Sequence, residues 1–326
     1  MGSPPLNILD QQAANRRNTV LVMVTFALFV GCIGYGLDVF LLGFNGGGGV
    51  HTGFPSPIAT LCAIGLGSVS AFWGLHGGAA AVLGSSNAQP VTPGDPKFRQ
   101  LQNVVEEMCI ASGLPRPRLY IVPDPDPNAF ATGKDPDHAC IAVTEGLLAT
   151  LNREELQGVI AHEMSHIRNY DIRLMTVVAA LIGAVMLLAE FGLRTPRLGT
   201  GRRSGSSQRG GGGLLFLAIW LVAIILAPLI SQILAMAVAR QREFLADASG
   251  AELTRNPSAL ASALQKISAA EAPTRSIKKG TAHLCIEDPL GREVNDREGF
   301  FANLFATHPP IEKRITLLRG MAYQHV

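Results

Sequence analysis

Four long apolar stretches punctuate the chain: Thr19–Leu42, Ile58–Leu83, Leu174–Leu193 and Leu214–Val238. Each approaches or exceeds the ~20 residues a helix needs to cross hydrocarbon, so the pattern predicts four transmembrane helices. The first is too long and too deep in the chain for a signal-peptide core, and no A-x-A cleavage site follows it. The third carries Glu190 near its end, which leaves a buried core helix open as an alternative there.

These stretches divide the chain. Residues 1–18 form a polar lead ending in Arg16-Arg17, which places the N-terminus in the cytoplasm; residues 19–83 form a first membrane hairpin. Its loop, 43–57, has no Lys or Arg, as the opposite side requires, and its glycine run Gly46–Gly49 predicts flexibility. Residues 84–173 are a soluble stretch. Asp95-Pro96 opens a helix that Gly113 ends. Three short β-like runs follow, Arg118–Val122, Asn128–Thr132 and Ala139–Thr144, separated by Pro, Asp and Gly. Asn152 with Glu155 resembles a capping box, and no Pro or Gly interrupts the helix between Val159 and Ile182, so it is expected to run on into the third apolar stretch. Residues 174–238 form a second membrane hairpin. Its loop, 194–213, holds five Arg and no acid, which opposes the far-side placement that simple counting gives it. The soluble residues 239–326 contain predicted helices at Arg240–Thr254, at Pro257–Ala270 and from Pro310 onward, with a looser segment to Gly299.

Composition agrees with a membrane protein. The 326 residues are 48% hydrophobic and only 16% charged, with mean hydropathy +0.26; soluble domains run near ~25% charged. A net charge of +2 argues against a dedicated nucleic-acid binder. The five cysteines (Cys32, Cys62, Cys109, Cys140, Cys285) form no CxxC pair, which excludes a disulfide framework and a cysteine zinc site.

The predicted soluble helix carries His162-Glu163-Met164-Ser165-His166, an HExxH run. Residues four apart share a helix face, so both imidazoles can grip one metal ion, and Glu163 can reach a water beside it. About one chain in a hundred of this length carries the pattern by chance, so its surroundings must decide. A catalytic zinc needs a third protein ligand. Glu243 is the candidate: it follows the fourth apolar stretch as His166 precedes the third, so a hairpin of those stretches returns both to one membrane surface. Asp247, one turn beyond Glu243, can accept a hydrogen bond from a ligand imidazole; a solvated acidic face is the alternative for this pair. Asp171, five positions beyond His166, is expected to turn away and pair with an Arg. His51, His76, His138, His283 and His325 lack ligand spacing and are read as surface or packing residues. Asn128–Ala131 reads as an edge strand able to pair with an extended substrate backbone, or as a hairpin strand in which Asn128 serves the turn.

Beyond HExxH, the chain from Asp95 to Met321 resembles the HtpX-type membrane-bound zinc metallopeptidases, distant relatives of the CAAX prenyl protease. The resemblance rests on Asn128–Gly133 (NAFATG), Ala139–Leu148 (ACIAVTEGLL), His162–Met175 (HEMSHIRNYDIRLM), Arg242–Ala251 and Thr307-His308-Pro309-Pro310 with Arg314. It implies a mainly α membrane protein with an α+β, gluzincin-like zincin domain. The implied ligands of one Zn2+ per chain are His162, His166 and Glu243, with Glu163 as general base. The family's His-Pro-Pro run makes His308 a candidate second electrophile for the oxyanion, against the alternative of a cap on the last helix. Arg314 would orient His308 or pair with an acid. The resemblance further implies protein substrates, misfolded membrane proteins above all; the membrane is expected to be a bacterial inner membrane, and the many Lys and Arg of the catalytic stretch itself put that part on the cytoplasmic side. The oligomeric state stays open. The rival readings are a processing peptidase for one membrane-associated substrate, a non-catalytic scaffold keeping the fold, and a four-helix transporter. The first builds its chamber from more helices, the second would tolerate loss of Glu163, and the third needs charge deep in the spans, which show little beyond Asp38 and Glu190 near their ends.

Overall fold

The computed structural model describes residues 8–43, 58–181, 242–270, 276, 284–286 and 309–323. The remainder of the third apolar stretch, the whole fourth stretch, the Gly-rich and Arg-rich loops and His308 lie outside the described residues.

Two long helices lead the chain, α1 (Ile8–Gly43) and α2 (Ile58–Ser85), packed side by side. α1 begins within the segment expected as a polar lead, because nothing in residues 8–18 breaks a helix and Asn15 and Thr19 find buried positions. Close packing of α1 on α2 uses Gly67, whose missing side chain leaves room for the Ala27 backbone. The outer faces of the pair expose Val20, Leu21, Val24, Leu28, Leu61, Leu66, Val69, Phe72 and Trp73. Among the described residues one helix, Thr60–Ser85, is long and apolar enough to cross a membrane.

Residues 89–144 supply a small mixed sheet covered by helices. Its strands are β1 (Gln89–Pro90), β2 (Arg118–Val122), β3 (Ala129–Thr132) and β4 (Cys140–Thr144), in the order β1-β2-β4-β3. β2 and β4 run parallel, and the two outer pairings are antiparallel. The three β-like runs read from sequence thus form strands. β1 went unread because two residues carry no alternation, and its proline is tolerated at a sheet edge.

α3 (Arg99–Ser112) follows a 3-10 turn that Asp95 caps, and Gly113, at φ +70°, ends it. α4 (Glu145–Thr150) is capped by Thr144. α5 (Arg153–Arg168) opens with both bonds of a capping box: Glu155 N–H donates to Asn152 Oδ1 and Asn152 N–H to Glu155 Oε2, each at 2.9 Å. α5 does not continue into the third apolar stretch as expected. It stops at Arg168, the backbone turns through Asn169 and Tyr170, and a new helix, α6, starts at 171 (residues 171–181). Tyr170 takes a left-handed φ of +60°, a conformation costing about 1–2 kcal/mol that local sequence would not predict. α7 (residues 242–254), α8 (Pro257–Ser268) and α9 (Ile311–Tyr323) complete the described helices. Leu101, Ile141, Leu147, Ile160, Met164, Leu260 and Leu264 are among the side chains filling the core between the sheet and α3, α5 and α8.

Candidate metal centre

α5 lies at the middle of this core, and glycines set its distance from two neighbours. A side chain at Gly158 would meet the Leu260 backbone of α8 at 3.0 Å; one at Gly250 of α7 would meet His162 N at 3.1 Å and its Cα at 3.2 Å. The second contact brings α7 backbone to backbone with the HExxH turn. Glu243, earlier on α7, consequently reaches the same point as the two histidines.

His162 and His166 present their rings edge to face, with centroids 4.8 Å apart and planes at 87°. Their Nε2 atoms lie 3.2 Å apart. Glu243 places Oε2 3.5 Å from His162 Nε2 and Oε1 3.5 Å from His166 Nε2. One ligand atom from each residue falls within 4.8 Å of the others, and all three side chains are buried. The sequence-predicted triad is therefore one cluster. Glu163 is also buried, and its Oε2 has no hydrogen-bond partner among the described residues.

Each histidine is backed by an aspartate. Asp247 Oδ1 lies 3.0 Å from His162 Nδ1, and Asp171 Oδ2 lies 3.1 Å from His166 Nδ1. At His166 the contact is a hydrogen bond, and an Nδ1–H donated to a carboxylate leaves the Nε2 lone pair free, the tautomer a metal ligand needs; at His162 the Asp247 carboxylate is as close but Nδ1 is not aligned on it as a hydrogen-bond donor. The expectation that Asp171 turns away from the ligands is corrected here. It assumed an unbroken helix, whereas the left-handed Tyr170 swings Asp171 back beneath His166. Asp171 also meets an arginine, with Arg242 Nε 3.4 Å from its Oδ1. Arg314 of α9, fully buried, holds Asp247 with two bonds of 2.7 Å from Nε and Nη2. Its Nη1 donates to the Ile286 carbonyl at 2.8 Å and stands 3.3 Å from Glu243 Oε2.

The donor set fits a divalent cation. Among the described residues, four buried carboxylates (Glu163, Asp171, Glu243, Asp247) face two buried guanidiniums (Arg242, Arg314). That excess of negative charge in a dry site requires added positive charge. Two Nε2 atoms 3.2 Å apart likewise need a proton or a metal between or beside them. The side chains take up protons accordingly. Burial alone would lower the His162 pKa, yet Asp247 and Glu243 outweigh it and raise it to about 9. Burial raises the Glu163 carboxyl above its ordinary range, with the two histidines pulling the other way. Asp247 stays below its ordinary range because Arg314 and His162 outweigh its desolvation.

The strand expected to meet substrate, Asn128–Ala131, is engaged. Asn128 serves the turn, its Oδ1 accepting from Ala129 N–H at 3.0 Å and its N–H donating to Thr144 Oγ1 at 2.9 Å. The outward carbonyl of Ala129 accepts from Ile286 N–H at 2.9 Å, and Phe130 forms an antiparallel bridge with Cys285. The outer edge of β3 is thus covered there by the chain's own residues 285–286.

The sequence pattern of peptidase family M48 matches residues 95–322. A "Protease HtpX homolog" of Ligilactobacillus salivarius is 42% identical, covering 96% of this chain and 100% of the relative. Another of that description, from Thermoanaerobacter pseudethanolicus, is 43% identical over 96% of this chain and 98% of its own length. The crystal structure of S. mikatae Ste24p matches with TM-score 0.41 and 18% identity, over 76% of this chain and 58% of that one.

Proposed function

The chain belongs to peptidase family M48 and is a metallopeptidase, and we propose that it is a zinc-dependent membrane endopeptidase acting on misfolded membrane proteins. The observation that carries the proposal is the convergence of His162, His166 and Glu243 from two helices on one buried point. His162, His166 and Glu243 would hold the Zn2+, which when bound would supply Lewis acidity to a water and to the scissile carbonyl. Glu163 takes the proton from the attacking water and delivers it to the leaving amine. Its carboxyl is buried beside the two histidines, and burial raises its pKa above the ordinary carboxylate range. Asp171 holds the His166 imidazole in the metal-binding tautomer, Asp247 sets its charge against His162 Nδ1, and Arg314 fixes Asp247. An extended substrate pairs with β3 over residues 128–131, taking over the Ala129 carbonyl that Ile286 holds at rest.

Membrane location is supported by Thr60–Ser85 and by the apolar outer faces of α1 and α2, which lipid would cover. The first turns of α1 contact the turn that follows the HExxH helix: Arg16 stacks over the Tyr170 ring at 4.3 Å. The Arg16-Arg17 end and the active site therefore share one side of the membrane, the cytoplasmic side by the positive-inside rule.

The test uses detergent-purified full-length protein, zinc and a membrane-protein substrate, comparing the native chain with Glu163→Gln. Loss of cleavage on substitution is expected, by about 100-fold or more. Equal cleavage by both proteins would sink the mechanism.

A further inference from the structure

Asn15 lies on α1, ahead of the first apolar stretch and far in sequence from any metal-ligating residue, yet it is buried. Its Nδ2 donates two hydrogen bonds, both 2.7 Å long, to the Asn169 carbonyl and to Asp171 Oδ1. The amide orientation is fixed, since the flipped form would set Oδ1 against two oxygens. Asp171 is the carboxylate whose other oxygen lies 3.1 Å from His166 Nδ1. A relay results: Asn15 Nδ2 to Asp171 Oδ1, Asp171 Oδ2 to His166 Nδ1, and His166 Nε2 toward the metal point.

We propose that Asn15 is a positioning residue for the metal centre, acting through Asp171 to fix the ring of His166. The inference rests on the metal reading above. A carboxylate rotates readily about its last torsion, and its two oxygens move together. With Oδ1 tied by Asn15, Oδ2 is kept 3.1 Å from His166 Nδ1. The same corner receives Arg242 Nε at 3.4 Å, which adds charge but a longer contact than the amide. Asp247, behind His162, has Arg314 in the corresponding place. The two ligand histidines therefore have parallel supports, one from α9 and one from the membrane-entering helix. Through Asn15 the seating of α1 becomes a condition for a well-ordered metal site.

The test is zinc affinity, read by competition with a chromophoric chelator, on full-length protein in detergent. Groups behind a metal ligand typically matter by 10–100-fold in affinity, and one placed a step further back is expected near ~10-fold. Asn15→Ala should lose about that much and shift the visible bands of the cobalt-substituted protein. In an Asp171→Asn background the same change should add less than about twofold, because the relay is already cut. Arg17→Ala changes an exposed position of the same helical turn and should stay within about twofold of the native affinity. Should Asn15→Ala not fold, Asn15→Leu, of similar size and without a donor, is read against the same limits. The proposal is overturned if the Asn15 variant binds zinc within twofold of the native chain, if the losses add in the Asp171→Asn background, or if Arg17→Ala loses as much. A native chain that takes up no zinc overturns the metal reading and this inference together.

Discussion

Replacing Arg314 with leucine removes the cation around which the acidic side of the site is built. In the native chain its guanidinium makes two 2.7 Å bonds to Asp247, one of 2.8 Å to the Ile286 carbonyl, and stands 3.3 Å from Glu243. It has no exposed surface. Removing one partner of a buried ion pair costs about 3–5 kcal/mol, and an orphaned buried carbonyl adds about 1–3. Protonation of Asp247, which burial favours once Arg314 is gone, returns part of this. The expected net cost is about 4–6 kcal/mol, a large share of the ~5–15 kcal/mol that holds a domain together. The assay is denaturant unfolding of the metal-free protein in detergent, followed by tryptophan fluorescence and circular dichroism. Asp247→Leu combined with Arg314→Leu supplies the control, since replacing both ions with apolar groups removes the orphaned charge. The double variant should be more stable than Arg314→Leu alone by about 2 kcal/mol or more, while still losing zinc affinity because His162 has lost its orienting partner. A single variant within 1 kcal/mol of the native chain, or a double variant whose losses simply add, would refute the reasoning.

Three further outcomes follow from the same geometry. Gly250→Ala places a methyl 3.1 Å from His162 N, where a helix backbone cannot yield, so α7 must shift; about 1–3 kcal/mol of stability and about tenfold in zinc affinity should be lost, measured by unfolding and chelator competition. Below about pH 9 the metal-free protein carries a proton on His162 that zinc must displace, so affinity should rise about tenfold per pH unit between about 7 and 9 and then level. Because that pKa is raised on folding, the proton's contribution to metal-free stability is present in full below about 6.5 and is lost as pH rises through about 9; calorimetry in buffers of different ionisation heat counts the released proton, and a flat profile contradicts the assignment. Ile286→Pro removes the N–H held by Ala129, and if substrate takes over that carbonyl, KM for an extended peptide should fall about two- to tenfold with kcat unchanged; an unchanged KM places the substrate elsewhere.

Much of the site is legible in the sequence because its signals are local. HExxH places two imidazoles on one helical face whatever surrounds the helix, and Asn152 with Glu155 fixes where that helix begins. The β runs read correctly because Pro, Asp and Gly bracket short apolar segments, as at Arg118–Val122. Asp171 was misread for the opposite reason. Its direction depends on one left-handed residue, Tyr170, and nothing in the side chain of a tyrosine announces that conformation. Asn15 gave no signal at all, being one polar residue in a polar lead whose partner lies 156 positions away.

Periodicity and spacing by themselves thus determined the long apolar helices α1 and α2 and the shared face of His162 and His166 on α5, since these follow from backbone geometry within a few turns, whereas Glu243 was reached only by supposing that two distant apolar stretches pair. Tertiary packing alone decided how close α7 comes to α5 at Gly250, which cation answers each buried carboxylate, and that the edge of β3 is covered by residues 285–286. Those outcomes depend on desolvation and on contacts between segments far apart in the chain, and no short window of sequence carries that information.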